Sequence, residues 1–487
     1  MNHKNLEEAK VFFSEGLKFL REEKYEIAEI KFIKSLNLSP GRLSIIHNLI
    51  SIYINTTQKT KLKNLIKNYN NLREEKVILY GKAFSCYFEN NYQDSITFCK
   101  KIIEFEEFKF SIQDLLASNY KKQKNFLDAL KIYKKKLKEK KNHLVFYNIG
   151  HLFSELGRTK IAHYYFTKCR EIKENDYTNL HSLALCKLKL RDFENGFLLY
   201  ENRWKKKDSL KIKFQKIKLP KSLLEIKDKK ILIWDEQGLG DTLQFSRFVL
   251  YLLKFTDQIT FVVNSKLSQI LSGLNTNILV TSYENLNSEN FDYQIPLCSL
   301  PKYLNIKRIE EINFFSLNYK NKFENKILLD NKKLNIGLAW SGNKEYFLDT
   351  YRSIPFKYFE NIFKLKNINF FKLSKVTSDE DKNKYTSFSN LIDLGNRSLA
   401  EIAECIKDLD LIISSDTSII HLAGILNKKS ILLLNYNSDW RWFDDNIKTV
   451  WYPSIEIIKQ EKFDSWDEVF VKLQNKLKNL DLKKKGE

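Results

Sequence analysis

The sequence predicts two different architectures in succession, a series of helical hairpins and then parallel β-sheets covered by helices. Small residues recur in the first part at intervals of 67, 34, 33 and 34, at Ala28, Ser95, Ala129, Ala162 and Gly196. From about residue 231, short apolar runs alternate with amphipathic stretches, which is typical of strands joined by helices in a parallel sheet. All seven Trp residues lie at 204 or beyond. We therefore expect the construction of the chain to change near residue 205.

The composition indicates a folded protein of several domains. The chain has 487 residues, of which 43% are hydrophobic and only 6 are Pro. Its net charge of +22 could indicate a nucleic-acid partner, but Lys is over-used along the whole chain, so we expect no nucleic acid. No run of about 18 uncharged apolar residues occurs, which predicts a cytoplasmic protein without a membrane-spanning segment. The six Cys lack the CxxC spacing of zinc and redox sites.

The interval of about 34 residues is the length of the tetratricopeptide (TPR) repeat, which is a pair of helices. Gly16, Ala28, Phe32 and Pro40 stand where that repeat places its small, aromatic and terminal residues. A small residue lets two helices approach, and an aromatic residue four positions later fills the same face. The interval of 67 leaves room for a weak unit near Leu62, so residues 1–205 are expected to form about six hairpins. The alternative is a generic helical bundle.

Six stacked hairpins would form a solenoid whose concave groove binds a protein or peptide. We expect residues 1–205 to select a substrate or a partner rather than to contribute to chemistry. Residues 206–230 are rich in Lys and contain Pro220, which indicates a linker or a short docking segment.

The remainder predicts two Rossmann-like lobes, 231–325 and 333–480, with a cleft between them. The polar segment from Asn321 to Lys333 separates the lobes. The expected strands are Ile231 to Trp234, Ile259 to Val263, Leu334 to Ala339, Phe370 to Leu373, Leu409 to Ser414 and Ser430 to Leu434.

A glycine-rich turn follows the first expected strand and opens a helix. Such a turn lets backbone approach a ligand, and its residues of interest are Gln237, Gly238, Gly240, Asp241 and Thr242. The third glycine of a dinucleotide fingerprint is missing, so NAD is not expected. Asp241 could also be a plain helix cap.

Two strand ends in the second lobe carry residues suited to an anion. The first is followed by Ser341, Gly342 and Asn343 and then by Arg352. The second runs into Ser415, Asp416, Thr417 and Ser418, whose hydroxyls and free N–H groups begin a helix carrying His421. Such a helix start suits a diphosphate, although it could also be an elaborate cap. Asp408 and Asp410 have the DxD spelling of metal-dependent transferases, but they span a helix end and a strand, so a structural role is expected.

Several ordered motifs between about 225 and 475 resemble one family. They are EQGLGDTLQFSRF (236–248), GLAWSGN (337–343), DTYRSIPF (349–356), SSDTSIIHLAGIL (414–426), SDWRWF (438–443) and WYPSIEIIKQ (451–460). The chain resembles bacterial tetratricopeptide proteins with a family-9-like, heptosyltransferase-related glycosyltransferase domain. The resemblance implies the two-lobed α/β GT-B fold, no cofactor, no essential metal, a nucleotide-sugar donor in the second lobe and an acceptor at the first.

Residue by residue, the resemblance makes Asp241 the general base, with Glu236 the next choice. It makes Asp416-Thr417-Ser418 the diphosphate turn, with Ser341 and Arg352 at donor-phosphate positions. We also expect His421 and Trp440 at the donor; Trp440 and Trp442 would wall the cleft or, as an alternative, pack in the core. The departures from the family are Ser418 in place of glycine, Tyr346 and Leu348 in place of histidine and asparagine, and the strand end Leu373-Ser374-Lys375.

The function expected from the sequence is therefore an inverting, metal-independent glycosyltransferase. It would move a sugar from a nucleotide sugar to a hydroxyl of a protein, peptide or glycan acceptor. The alternative is a TPR scaffold with a degenerate, inactive transferase domain.

Overall fold

A computed structural model describes residues 3–69, 75–206, 211–287, 290–319, 327–343, 349–375, 384–444 and 449–486. Tyr346 and Leu348 lie outside the described residues. The chain divides into two compact units, Met1–Leu152 and Phe153–Glu487. In the described ranges, no helix combines the length and apolar character needed to cross a membrane.

Helices make up most of the described part of residues 3–200, and within each compact unit neighbouring helices pack in pairs. Their bounds are α1 (His3–Arg21), α2 (Tyr25–Leu38), α3 (Leu43–Asn55), α4 (Lys59–Asn68), α5 (Lys76–Phe88), α6 (Tyr92–Ile102), α7 (Lys109–Lys122), α8 (Phe126–Glu139), α9 (His143–Glu155), α10 (Thr159–Ile172), α11 (Tyr177–Lys189) and α12 (Phe193–Tyr200). A 3₁₀ helix, Glu201–Trp204, follows.

The small residues of the 34-residue period lie where helices touch. A Cβ on Gly16 of α1 would come within 2.7 Å of the Phe32 ring in α2. Ala28 and Ala129 in the first unit, and Ala162 in the second, are fully buried. The aromatic residues four positions later, Phe32, Tyr133 and Phe166, are buried too, with no more than 3% exposed. The predicted helical repeats are therefore confirmed together with the packing that produces their period.

Helices α11 and α12 share a core with the α/β region. Phe193 and Phe197 lie in one buried cluster with residues of both lobes. Phe193 packs edge-on against Phe443, with ring centroids 6.2 Å apart, and Phe197 packs against Trp440 at 6.1 Å. The last of these helices ends at Tyr200, whereas the compact units divide after Leu152. The reason is that the last helices bury their aromatic face against the α/β region.

The segment expected to be a linker or a docking segment packs on the first lobe over its described part. The side-chain amide of Gln294 donates to the carbonyls of Phe214 and Ile217, both at 3.3 Å. The Lys213 ammonium donates to the hydroxyl of Tyr283 at 2.6 Å. Residues 211–219 thus dock on this lobe.

The first lobe is a four-stranded parallel sheet of order β3-β2-β1-β4. Its strands are β1 (Ile231–Trp234), β2 (Ile259–Val263), β3 (Ile278–Ser282) and β4 (Tyr293–Pro296). Its helices are α13 (Leu239–Phe245), which continues as a 3₁₀ helix to Lys254, α14 (Ser265–Leu271) and α15 (Leu300–Tyr303). Strands β1 and β4 are buried throughout, as expected for a sheet covered on both faces.

The second lobe is a six-stranded parallel sheet of order β10-β9-β8-β5-β6-β7. Its strands are β5 (Leu334–Ala339), β6 (Ile368–Lys372), β7 (Leu391–Asp393), β8 (Leu411–Ser414), β9 (Ser430–Leu434) and β10 (Ile455–Lys459). Its α-helices are α16 (Asp349–Arg352), α17 (Glu360–Phe363), α18 (Leu399–Asp408), α19 (Ser418–Ile425) and α20 (Asp467–Gly486). Strands β5, β6 and β7 form one half of the sheet in that order, and β8, β9 and β10 form the other half beside β5, which is the Rossmann order. The predicted fold class, a TPR region followed by a GT-B domain of two Rossmann-like lobes, is confirmed.

We predict that Gly16→Val lowers the free energy of unfolding by about 1–3 kcal/mol, because the added methyls would press on the Phe32 ring. Valine has a better helix propensity than glycine, but that gain is below about 1 kcal/mol. Urea unfolding followed by far-UV circular dichroism measures the loss. Ser14→Val, at an exposed position of the same helix, is the control. Equal midpoints for the two variants would show that α1 does not need a small residue at 16.

Candidate functional site

The second sheet has one point where its strand order reverses, between β5 and β8. These two strands are neighbours, with Ala339 opposite Ser414 at their carboxyl ends. Loops that leave such a point in opposite directions open a crevice, and ligands of Rossmann-type sheets bind there. The loop after β5 carries Ser341, Gly342 and Asn343, and the loop after β8 carries Ser415 to Ser418. The structure therefore places both predicted anion-binding segments at one crevice.

Helix α19 begins with backbone N–H groups that its N-cap side chain does not bind. Thr417 is its N-cap, and its Oγ1 lies 3.1 Å from Oγ of Ser414 rather than capping the helix. Ser418 is the first residue of the helix. The Oγ of Ser415 is buried without a hydrogen-bond partner in the described part of the protein. Free N–H groups and an unpartnered hydroxyl are suited to an anion.

Arg352 supplies a cationic group beside this helix start. Its Nε donates to Asp349 at 3.0 Å, and its Nη1 donates to the carbonyl of Asp416 at 3.0 Å. A Cβ on Gly342 would overlap Nη2 of Arg352, so glycine at this position leaves space for the guanidinium where it lies. Gly342 thus affects Arg352 by leaving space for its guanidinium and not by a hydrogen bond to it.

The surroundings of the Asp416 carboxyl group disfavour its ionised form. Burial raises the pKa of Asp416 to about 6, and the carboxylate of Asp439 acts in the same direction. The group is therefore partly protonated near neutral pH, whereas an exposed aspartate would be fully ionised. A carboxyl group held in such a state is more common at functional sites than elsewhere.

His421 is a buried, neutral imidazole. Its ring stacks on Trp442 with centroids 5.3 Å apart, and its Nδ1 lies 2.9 Å from the hydroxyl of Tyr452. Burial lowers the pKa of His421 to about 3, and the charge of Arg441 acts in the same direction. Its Nε2 lies 3.8 Å from Asp416, and a Cβ on Gly240 would come within 2.8 Å of its Cδ2. His421 therefore fills the space between the two lobes at the cleft.

Asp241 lies in the first turn of α13 with both carboxylate oxygens engaged. Oδ2 accepts from the backbone N–H of Gly238 at 3.0 Å, which forms the acidic half of a capping box. Oδ1 accepts from Nη2 of Arg441, which belongs to the second lobe. The Asp241 side chain is 23% exposed, so solvent or a ligand can still reach it. Asp241 thus caps a helix and also forms an ion pair across the cleft.

The other residues of this turn have structural partners. The side-chain amide of Gln237 donates to the hydroxyl of Tyr200 in α12 at 2.7 Å. Thr242 Oγ1 donates to the carbonyl of Gly238 at 3.3 Å. Glu236, the second choice for the base, is held by Nε and Nη2 of Arg203 at 2.7 and 2.8 Å and is fully buried. Glu236 is therefore closed to an acceptor.

Arg441 is a site residue that the sequence did not single out. Its side chain is 9% exposed and pairs with Asp241 and with Asp439, whose Oδ1 accepts from Nη1 at 2.7 Å. The sequence indicates this role only weakly. Arg441 stands in the run Ser438-Asp439-Trp440-Arg441-Trp442, and nothing in that run shows that its partner lies in α13. Arg441 thus links Asp241 of the first lobe to the loop after β9 in the second lobe.

The two tryptophans of this run pack in the core and reach the cleft. Trp440 is 3% exposed and lies against Phe197, Phe245 and Trp451. Trp442 is 1% exposed and lies on His421. Trp440 also lines a cavity. Its surroundings therefore include both the core packing and the open space that the sequence analysis gave as alternatives.

That cavity has a volume of about 150 Å³ and is bounded by Arg352, Asp416 and Trp440. Its other walls are the loops after β9 and β10 and residues of α9, α10 and α11. Ser341, Gly342, Asn343, Thr417 and Ser418 flank the crevice without lining the cavity, and Asp241 reaches the region through Arg441. Three of the repeat helices therefore contribute residues to the cavity wall.

The DxD segment makes structural contacts. The carboxylate of Asp410 accepts from the backbone N–H of Asn335 at 2.8 Å and so holds the start of β5. Within the described ranges, no three His, Cys, Asp or Glu side chains gather as a metal site would require.

Solved structures similar to this chain include two heptosyltransferases and several tetratricopeptide-repeat proteins. Escherichia coli ADP-heptose lipopolysaccharide heptosyltransferase II is 12% identical over 53% of this chain and 99% of its own, with a TM-score of 0.39. E. coli heptosyltransferase WaaC with ADP-2-deoxy-2-fluoro heptose is 11% identical over 51% and 99%, with a TM-score of 0.34. Pseudomonas aeruginosa pilF is 12% identical over 42% and 93%, with a TM-score of 0.34. No protein-family model and no curated protein matches the sequence.

We predict that Asp416→Asn stabilises the protein at pH 8 and leaves its stability almost unchanged at pH 4. A carboxyl pKa raised from 3.8 to about 6 gives the folded state a stabilising contribution that is present below pH 3.8 and lost as the pH rises through 6. The loss is roughly 2–3 kcal/mol, and asparagine does not undergo it. Urea midpoints of both proteins from pH 4 to pH 8 measure the difference. Asp257→Asn, at an exposed position, should change stability by less than about 0.5 kcal/mol. A gain at pH 8 no larger than that of the control would contradict the burial effect.

Proposed function

We propose that the protein is a glycosyltransferase that moves a sugar from a nucleoside diphosphate sugar to an acceptor hydroxyl. The observation that carries the proposal is the arrangement at the β5–β8 crevice. Arg352, the uncapped start of α19 and the buried hydroxyl of Ser415 meet there, beside a cavity. This combination is suited to a diphosphate, and the two-lobed fold is compatible with a donor and an acceptor on facing sides.

The chemistry needs stabilisation of the leaving diphosphate. Breaking a sugar–phosphate bond places negative charge on the leaving group, and fixed donors lower the cost of that charge. Arg352 and the N–H groups of α19 can provide such donors in this chain. Asp416 opposes them when it is ionised, and its raised pKa reduces that opposition near neutral pH. We infer a metal-independent reaction in which the protein supplies the positive charge.

The acceptor hydroxyl needs a proton acceptor within hydrogen-bond reach. We assign this role to Asp241, because a carboxylate has about four lone-pair sites and two of them remain after the bonds to Gly238 and Arg441. Its pairing with Arg441 holds the carboxylate at the edge of the second lobe, which carries the proposed donor site. Attack by the hydroxyl opposite the departing diphosphate is a single displacement, and it would invert the anomeric carbon.

The repeats are proposed to bind a protein partner or the acceptor, which would be a protein, a peptide or a glycan. The proposed location is the cytoplasm, where nucleotide sugars are made. Neither Tyr346 nor Leu348, the departures from the related transferases, enters this proposal, because both lie outside the described residues.

A second candidate is a TPR scaffold with an inactive transferase domain. The observation that favours it is the double engagement of Asp241, which serves both as a helix cap and as an ion-pair partner. The presence of Ser418, where the resembled family has glycine, also favours the inactive scaffold.

We predict that a nucleoside diphosphate raises the melting temperature of the protein and that Arg352→Gln removes the effect. A ligand at 100 times its Kd stabilises the folded state by about 2.7 kcal/mol, which corresponds to roughly 3–6 °C. Thermal unfolding with ADP, GDP, UDP, CDP and dTDP measures the shift. Arg308→Gln removes an exposed arginine and should keep the full shift. If no nucleotide shifts the wild-type transition, the scaffold is the correct candidate.

We predict that Asp241→Asn lowers the rate of sugar transfer by about 100-fold or more and leaves donor affinity within about twofold. Asparagine keeps an oxygen for the helix cap but removes one of the two carboxylate partners of Arg441, so the variant should fold with lower stability, and rates are compared at a temperature where both proteins are folded. Glu401→Gln is a matched control, because Glu401 is the acidic member of the capping box on α18 and lies outside the site. Transfer at the wild-type rate by Asp241→Asn would mean that Asp241 is only a cap, as Glu401 is.

A further inference from the structure

The cavity beside Arg352 has one wall made of repeat helices. Ser154 and Glu155 come from the end of α9, Thr159 comes from the start of α10, and Leu185 and Lys189 come from α11. All of these residues belong to the same compact unit as the α/β region. The wall is therefore part of the transferase and not a neighbouring surface.

Specific contacts hold this wall in place. Lys189 Nζ donates to the carbonyl of Ser438 at 2.8 Å and to Asn437 Oδ1 at 3.2 Å, and it pairs with Asp444 at 3.0 Å. The Thr159 hydroxyl donates to the same Asp444 carboxylate at 2.5 Å. Because Lys189 is only 8% exposed and fully engaged, its charge stabilises the loop after β9 and is not available to a phosphate.

The volume of the cavity limits what it can hold. About 150 Å³ is enough for a single six-membered ring. A complete nucleotide sugar is several times larger. With the diphosphate at Arg352, the cavity can receive only one end of the donor, either the base or the sugar.

The geometry of the aromatic side chains disfavours the base. Tyr351 and Phe463 are tilted by 58°, and Tyr436 and Phe463 are tilted by 78°. No parallel pair among these three rings forms a slot in which a planar base could stack on both faces. A sugar ring does not need such a slot, because its hydroxyls are recognised by hydrogen bonds around its edge.

The polar lining suits hydroxyl groups. The Asn435 amide donates to the carbonyl of Asn437 at 2.7 Å and Gln460 Oε1 accepts from the N–H of Tyr436 at 2.9 Å, so these residues offer a ligand the Asn435 oxygen as an acceptor and the Gln460 nitrogen as a donor. The carboxylates add further acceptor oxygens for O–H groups. The acidic lining residues are Glu155, Asp416, Asp439 and Asp464, against Arg352 and Lys189 as the basic ones. A sugar that carries a carboxylate would be repelled, whereas an uncharged sugar would not.

We propose that this cavity holds the sugar residue of the donor, an uncharged hydroxyl-rich six-membered ring, and that helix α11 is the wall that selects it. The inference rests on the proposed function, since it takes the diphosphate to lie at Arg352. It adds a role for the repeats in donor selection beyond the binding of an acceptor or partner.

Filling the cavity from α11 tests the proposal. Leu185→Trp adds bulk at the wall, and Leu198→Trp makes the same change at a position of α12 that is 57% exposed. Calorimetric titration would use UDP, GDP, ADP and dTDP and the glucose conjugate of each. For the nucleotide that binds, Leu185→Trp should bind the bare diphosphate within about twofold of wild type and its glucose conjugate at least tenfold more weakly, while Leu198→Trp should match wild type for both. Ser154→Phe, which fills the cavity from the opposite helix, gives the same test if Leu185→Trp does not fold.

The outcomes separate this proposal from the proposed function. If wild type binds no nucleoside diphosphate, the proposed function fails and this inference fails with it. If wild type binds a diphosphate but the filled variants weaken diphosphate and conjugate equally, or weaken neither, only the sugar assignment is overturned. When UDP is the ligand, UDP-glucuronate should bind at least tenfold more weakly than UDP-glucose, and equal affinity would overturn the choice of an uncharged sugar.

Discussion

The arrangement of the cleft depends on one buried arginine. Arg441 keeps its charge at any pH that a folded protein experiences, so its burial requires carboxylate partners. It obtains them from both sides of the cleft, Asp241 on the first lobe and Asp439 on the second. The two lobes must therefore approach closely, and Gly240 permits this because a larger residue would overlap the His421 ring. The candidate base and the candidate donor loop are positioned together as a result.

The same loop after β9 also anchors the last repeat helices. Lys189 and Thr159 bind it through polar contacts, and Phe193 and Phe197 pack against its aromatic residues. The loop thus forms an ion pair with the first lobe through Arg441 and packs against aromatic side chains of the repeats. A region that reads in sequence as a separate repeat array consequently supplies part of the wall of the cavity, whose other lining residues come from the second lobe.

The electrostatics of the site explain why its residues have more than one role. Asp416, Asp439 and Asp241 place several carboxylates near the proposed diphosphate, which would repel it if they were unpaired. Arg441 neutralises part of this charge, and burial keeps Asp416 partly protonated near neutral pH. Arg352 remains beside the crevice, where it holds the Asp416 backbone and faces the start of α19. The structure therefore concentrates acid groups at the cleft and balances them with the buried Arg441 and the partly exposed Arg352.

The sequence by itself determined the helical hairpins, the parallel strands and the segments that follow the strands β1, β5 and β8. These features are local: a 34-residue period reflects contacts within one hairpin, and an apolar run followed by Gly, Ser, Thr or Asp marks a strand that ends at a polar turn. Only the tertiary structure decided that Asp241 pairs with Arg441, 200 residues away, that Glu236 is closed by Arg203, and that Lys189 braces a loop 249 residues further on. Neither periodicity nor composition encodes such pairs, because each partner is an ordinary surface-type residue in its own segment. Their roles arise from burial, which makes an ion pair necessary only after the two lobes and the last repeat helices have packed together.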